Sequence, residues 1–205
     1  RTWVVPTNPQ TSRQNNQRNL LATKSAAWRG LSDGQRDSWA SWAGDNPILD
    51  RVGNSIVLSG AQAYNKININ RTNASDGATQ ADTPSAAEFT ADIIDTSSPL
   101  QIEIGAAFFQ IYLSSGATAG QKLFTWACKP VSAGVTNTTA IERLVEVVTL
   151  SGGDVSNGYY SIYTNYVDYF GTITGKSGFR VNVAVNEYDE GQFSVPAKVT
   201  GTISA

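Results

Sequence analysis

The chain has 205 residues, which is enough for one large or two small domains, and its 40% hydrophobic content suffices for a core. It contains no histidine, which excludes histidine metal sites, Ser-His-Asp triads and histidine general bases. Residues 1–72 hold nine basic and four acidic residues, a net of +5, whereas residues 73–205 hold six and thirteen, a net of −7. This asymmetry is consistent with head-to-tail contacts between copies, with an N-terminal region that rests on an acidic neighbour, or with charge that merely solvates two different faces.

Residues 1–7 (RTWVVPT) predict an extended arm. Trp3, Val4 and Val5 are strand formers, and Pro6 ends the run. Such an arm would add to the edge of a sheet, either in its own chain or in a neighbouring copy.

A first helix is predicted directly after the arm. Thr11 and Gln14 have the spacing of a capping box, in which the hydroxyl accepts a backbone N–H and the amide bonds back to the cap. The helix would run to about Arg29 and end at Gly30.

Two further helices are predicted by the same capping signal. Ser32 and Gln35 repeat the spacing, and this second helix would run to about Ala43. Residues 52–59 then predict a short strand. Ser59 would cap a third helix that contains Tyr64.

The predicted helices carry most of the chain's tryptophans. Trp39 and Trp42 are three residues apart and share a helix face, and Trp28 would pack on them across the connection. One interpretation is a small core; the other is that an indole is presented to a neighbouring chain, as interface hot spots often are. Because this region has few aliphatic residues, we predict a partner surface built from Trp3, Trp28, Trp39 and Trp42.

A domain boundary is predicted at residues 72–87 (TNASDGATQADTPSAA), which contain no apolar residue larger than alanine. This composition is typical of a linker or long loop. It separates a helical anchor region with its extended arm, residues 1–71, from a second domain, residues 88–205.

The second domain is predicted to be all strand except for one segment. Period-2 alternation and turn signals favour an antiparallel β-sandwich, so the fold class is α+β. The predicted strands are residues 88–94, 100–104, 107–113, 123–131, 141–150, 179–188 and 195–203.

The segment 159–170 (YYSIYTNYVDYF) breaks this alternation. Tyr159, Tyr163, Tyr166 and Phe170 have helical spacing, and a strand is the alternative because tyrosine favours it. The three tyrosines would form a stacking platform for a sugar or single-stranded nucleic acid, or a packed aromatic face. Nucleic acid would need flanking basic residues, and this half is acidic, so no direct nucleic-acid contact is predicted.

No catalytic constellation is found, and we predict no enzyme, no metal and no cofactor. The acidic sets are Asp92 with Asp95, Glu142 with Glu146, and Glu187 with Asp189 and Glu190; none has the ligand spacing of an EF-hand. Cys128 is the only cysteine, so an intramolecular disulfide and a cysteine-rich zinc site are excluded. No stretch has the roughly 18 apolar residues of a membrane helix.

The N-terminal text NPQT…Q…R…AAWRGLSDGQRDSWASWA resembles proteins of tailed bacteriophages and prophages. These pair an "AW-x-x-L-S/T-x-x-Q-R-x-x-W" segment with a β-rich C-terminal half similar to fibronectin type III or immunoglobulin-like modules. Looser matches are PVSAGVT (130–136), the aromatic run before Gly171, and GFRVNVAVNEYDEGQFS (178–194). The chain lacks the buried tryptophan and paired cysteines of true immunoglobulin domains.

The resemblance implies a non-enzymatic virion structural protein, a capsid decoration or a tail or neck component. Its partners would be other virion proteins and copies of itself, in an assembly built in the host bacterial cytoplasm. The alternative is an adhesin-like module that binds a glycan or host receptor through the sandwich loops and its tyrosines.

Overall fold

The structure is a computed structural model that describes residues 10–50, 53–74, 80–90, 93–98, 100–103, 108–135 and 137–204. The chain divides into two compact units, residues 1–86 and residues 87–205. The fold is α+β, as predicted: helices build the first unit, and a mostly antiparallel curled sheet builds the second. The predicted arm, with Trp3, lies outside the described residues.

Three helices build the first unit, and each begins at the predicted capping signal. They are α1 (Ser12–Arg29), α2 (Asp33–Asp45) and α3 (Gly60–Asn73). The hydroxyls of Thr11, Ser32 and Ser59 each accept the N–H of the glutamine three residues on, whose side chain bonds back to the cap. A cap of this kind stabilises a helix by about 1 kcal/mol.

The contact between α2 and α3 depends on Gly60. A Cβ atom at this position would lie 2.9 Å from the backbone nitrogen of Ala40, closer than real Cβ contacts. The absence of a side chain at the start of α3 therefore lets the two helix backbones approach.

A two-stranded antiparallel ribbon connects α2 to α3. It consists of β1 (Ile48–Leu49) and β2 (Ser55–Ile56), with Ile48 opposite Ile56 and Leu49 opposite Ser55. The predicted strand at residues 52–59 was too long, because only two of its described residues are paired.

The second unit is built on one sheet of eight strands. The order is β6-β5-β8-β10-β3-β4-β7, with β9 also paired to β8, and every pair is antiparallel except β10–β3. The strands are β3 (Gln101–Glu103), β4 (Phe108–Tyr112), β5 (Lys122–Ala127), β6 (Arg143–Thr149), β7 (Tyr159–Ser161), β8 (Arg180–Asp189), β9 (Gln192–Phe193) and β10 (Ala197–Ser204). A sandwich was predicted, but the parallel β10–β3 pair joins the described strands into one path.

The sheet curls around a single core. The hydroxyls of Thr125 on β5 and Tyr160 on β7 are 2.8 Å apart, although these strands lie near opposite ends of the sheet. The close approach of β10 to β3 requires Gly201, where a Cβ would clash with the Cβ and the carbonyl oxygen of Leu100.

The aromatic segment forms both of the structures considered for it. Tyr159–Ser161 is β7, and Tyr163–Phe170 is helix α5, which packs on β6 and β4. A shorter helix, α4 (Gly152–Asn157), precedes β7. The single helix predicted over residues 159–170 was wrong for its first three residues, because Tyr160 pairs with Ile111 of β4.

The strand predicted at residues 88–94 is not formed by the described part of this segment. Only Ile94 makes an isolated bridge, to Leu113. The N–H groups of Glu88 and Thr90 donate instead to side-chain carboxylates of β8, so side chains replace a strand partner.

Candidate functional site

The tryptophans of the first unit surround Tyr64. The Trp39 ring is fully buried and lies edge-on to Tyr64 at 5.5 Å and to Trp42 at 5.9 Å. Trp28 approaches Tyr64 from another side, with ring centroids 5.4 Å apart. Such aromatic pairs contribute about 0.5–1.5 kcal/mol beyond the area they bury.

Residues from the predicted linker complete this core. The Trp39 indole Nε1–H donates to the carbonyl of Asp82 at 2.9 Å. The buried Asn68 amide donates to the Ala81 carbonyl and accepts the Ala81 N–H at 2.8 Å. The linker interpretation therefore does not hold for Ala81 and Asp82, which are bound to the helical unit, or for Thr72, which lies within α3.

The burial of Trp39 assigns it to the core and leaves it no free face for a partner. Trp28 and Trp42 are only half-buried, so their predicted role at an interface remains a prediction. Burial, and then the charge of Asp82, raises the pKa of Tyr64 to about 12. Its buried hydroxyl has no hydrogen-bond partner in the described part of the chain.

Among the described residues of the first unit, the two most exposed large apolar side chains lie on or directly beside the ribbon, and no sequence pattern predicts them. Leu49 is 72% exposed, and Val57, directly after β2, is 60% exposed. Their register puts both on one face of the ribbon, whereas Ile48 and Ile56 face the other side. We call β1, β2 and Val57 the apolar ribbon.

The three candidate stacking tyrosines differ in exposure. Tyr166 is fully buried, its ring lies 4.9 Å from Phe109, and its hydroxyl donates to the Cys128 carbonyl. The stacking prediction is therefore wrong for Tyr166, because no ligand can reach its face. Tyr159, which packs edge-on against Tyr112, and Tyr163 are half-buried.

Glu146 points into the curled sheet rather than into solvent. A β-bulge changes the register beside it, so that Glu146 pairs with Thr125, whose side chain is fully buried. Its Oε2 is buried without a hydrogen-bond partner among the described residues. Burial raises the pKa of Glu146, and the charge of Asp154 raises it further. A hydrogen bond from Asn165 lowers the pKa but does not cancel these effects.

The acidic set at the β8–β9 hairpin bonds to the chain's own backbone. The Glu187 carboxylate accepts the Thr90 N–H at 2.7 Å, and the Asp189 carboxylate accepts the Glu88 N–H at 2.8 Å. We call these two bonds the carboxylate clasp. The Glu187 side chain is almost completely buried, and this burial raises its pKa. The hydrogen bonds from Thr90 and Gln121 lower the pKa but do not cancel the effect of burial.

The other acids singled out in the sequence make contacts of their own where the structure describes them. Asp92 lies outside the described residues, and the hydroxyls of Ser97 and Ser98 lower the pKa of Asp95 to about 2. Glu142 accepts a hydrogen bond from Thr138. No group of three or more metal-binding side chains occurs among the residues that were searched, which are those the structure describes.

Cys128 is buried at the end of β5, and burial raises the pKa of its thiol. Its sulfur accepts the Asn182 N–H at 3.3 Å. A buried thiol with a raised pKa is a poor nucleophile.

A cleft of about 290 Å³ opens at one end of the second unit. Its walls come from Thr90 and Thr96 on one side and residues 194–197 on the other, and the buried side chains of Ile93 and Val185 form its floor. Val195, on its rim, is 89% exposed. We call this feature the end cleft; it was not predicted, because it is made by segments about a hundred residues apart.

In the described part of the chain, no helix has the length and apolar character needed to cross a membrane. Comparison with protein-family models, with curated proteins and with solved structures found no match to this chain.

Proposed function

We propose that this protein is a non-enzymatic structural component of a bacteriophage virion, either a capsid decoration or a tail or neck protein, present in many copies. The observation that carries the proposal is that each unit has its own core and still leaves large apolar side chains exposed: Leu49 and Val57 in the first, Val195 in the second. Contiguous exposed apolar residues mark protein–protein contacts. The resemblance of the tryptophan-rich segment to phage proteins supplies the kind of assembly.

The chemistry of the described acids also supports a structural role. Glu187 and Asp189 accept backbone N–H groups, and Asp95 accepts hydroxyls of its own turn, so their oxygens stabilise the fold. The partners of this protein would be other virion proteins and further copies of the chain, assembled in the host cytoplasm.

The finer comparison of the second unit with immunoglobulin or fibronectin type III modules belongs to the same proposal. Its support is limited to mostly antiparallel strands and a core between β5 and β7. The parallel β10–β3 pair argues against two separate sheets. Proton contacts between Ile203 and Ile102 in NMR spectra of the full chain would support one continuous sheet. Their absence would support two separate sheets.

The test is the composition of purified particles. Particles from an induced host that carries the gene should contain the chain at many copies after density-gradient purification, measured by quantitative mass spectrometry. A deletion strain provides the control. Particles that lack the chain, at full infectivity in both strains, would refute the proposal.

A further inference from the structure

We propose that copies of this chain associate head to tail, with the apolar ribbon of one copy seated in the end cleft of the next. The inference rests on the proposed function, because it names the contact that a many-copy assembly needs.

The ribbon provides one half of this contact. A two-stranded ribbon is marginally stable in water, and it needs packing on a face to become rigid. Leu49 and Val57 on one face are 72% and 60% exposed, whereas the opposite face has a half-buried Ile48 and a 43% exposed Ile56. The face with Leu49 is therefore the more open of the two, and Leu49 is its most exposed side chain.

The end cleft provides the other half. Its floor is apolar and its rim includes Val195 and Pro196, so it accepts an aliphatic side chain without stranding a charge. At about 290 Å³ it is below the roughly 300–1,000 Å³ typical of small-molecule pockets. It has room for an aliphatic side chain such as Leu49.

Charge selects the second copy as the occupant. Residues 1–86 carry nine basic and six acidic residues, a net of +3, whereas residues 87–205 carry six and eleven, a net of −5. Two carboxylates also lie beside the cleft, since Glu187 accepts the N–H of its wall residue Thr90, and Asp189 accepts the N–H of Glu88. Contact between unlike units is attractive, whereas ribbon-to-ribbon contact would bring two positive units together.

Such a contact uses two different surfaces, so it can close as a reciprocal pair or repeat from copy to copy. Repetition gives a ring or an open chain, depending on the rotation between copies. In an open chain, the copy at one end leaves its ribbon unoccupied and the copy at the other end leaves its cleft unoccupied.

The test uses two variants of the full chain that each damage one half. Leu49→Asp places a charge where the ribbon enters the cleft, and Val195→Lys places a positive charge on the cleft rim. Both side chains are largely exposed, so neither change affects a core. Leu21→Asp and Tyr169→Lys are matched controls at exposed apolar positions of the first and second units, respectively.

Sedimentation velocity should show wild-type mass growing with concentration to a dimer or beyond. Each of the two variants should associate at least about thirtyfold more weakly, the effect of losing one interface hot spot. The controls should behave as wild type. An equimolar mixture of Leu49→Asp and Val195→Lys should form a two-chain species and nothing larger, because one intact ribbon then meets one intact cleft.

The proposal is overturned if the wild type stays monomeric at the highest concentration, or if either variant associates normally. It is also overturned if the variants fail alone and the mixture stays monomeric, since an intact ribbon then fails to engage an intact cleft. Particle composition is independent of these measurements. A chain found in virions but monomeric in solution therefore refutes this contact and not the function, and the reverse result refutes the function alone.

Discussion

The two units of this chain are stabilised in different ways. The core cluster of the first has six buried apolar residues among those described, and two of them, Trp39 and Tyr64, are large aromatics at its centre. The second has twenty-two, mostly aliphatic and spread over the curled sheet. The stability of a small core built on a few large side chains depends strongly on each of them. In a larger core, each side chain contributes a smaller fraction of the stability. The units should therefore respond unequally to comparable changes.

The largest effect is expected at Trp39. Trp39→Ala removes a buried indole and its bond to the Asp82 carbonyl, which should cost about 3–5 kcal/mol and unfold the first unit. The transition of the second unit should not move. Thermal unfolding followed by circular dichroism at a helix-sensitive wavelength measures both.

The control for this change is Leu49→Ala, at an exposed position, which should alter stability by less than about 0.5 kcal/mol. If Trp39→Ala lowers both transitions by the same amount, the units unfold as one and the contrast is lost.

The next effect is expected at Gly201 in the larger core. In Gly201→Ala, the new methyl group meets the Leu100 side chain and carbonyl, so β10 and β3 must separate. Overpacking of this kind costs about 1–3 kcal/mol. Urea unfolding should show the second unit weakened but still folded.

Gly134→Ala is its matched control, because no atom lies within 4 Å of a Cβ there. Equal unfolding midpoints for the two variants would show that the β10–β3 approach is not tight.

The pH dependence of the second unit should be smaller and biphasic. The raised pKa values of Glu146 and Glu187 mean that the folded state binds these protons more tightly than the unfolded chain. Protonation of these two carboxylates therefore stabilises the folded state increasingly as the pH falls through their folded pKa values toward the ordinary value of 4.5. Asp95 acts oppositely: its stabilisation is present above 3.8 and is lost as the pH falls to about 2. Urea midpoints from pH 7 to pH 2 should rise and then fall.

Glu187→Gln separates these contributions, because an amide oxygen still accepts the Thr90 N–H but does not titrate. The variant should show a smaller rise between pH 7 and pH 4.5 and the same acid-side fall. A wild-type midpoint that only falls over this range would contradict the assigned signs.

The smallest effect is expected at Cys128. Its buried thiol should react with Ellman's reagent only when the second unit opens. Trp39→Ala should leave the labelling rate unchanged, because that substitution acts on the other unit. Faster labelling in this variant would indicate that the units are energetically coupled.

The helix starts could be predicted from the sequence because their causes are local. Thr11, Ser32 and Ser59 each find their capping partner three residues away, and no other part of the chain is needed. The existence and approximate position of most strands follow similarly from alternation. Strand order does not, because the β10–β3 pair joins residues a hundred positions apart and leaves no local signal.

The candidate surfaces were harder to predict for the same reason. Period-2 alternation places Glu146 on an ordinary solvated face, but the bulge turns it toward Thr125 and the core. Trp39 was predicted at an interface because the carbonyl of Asp82, which satisfies its indole, lies 43 residues away in an apparently featureless segment. Exposure of Leu49 depends on which ribbon face packs, and composition carries no information on that.

The carboxylate clasp has a mechanical consequence. A pulling force transmitted along the chain from residues 1–86 enters the second unit at residue 87, and the bonds of Glu88 and Thr90 are the first that it meets. Hydrogen bonds to carboxylates are about twice as strong as neutral ones, and two of them would share the tension. Under tension, these two hydrogen bonds would break first, before the load reaches the hydrogen bonds between the strands of the sheet.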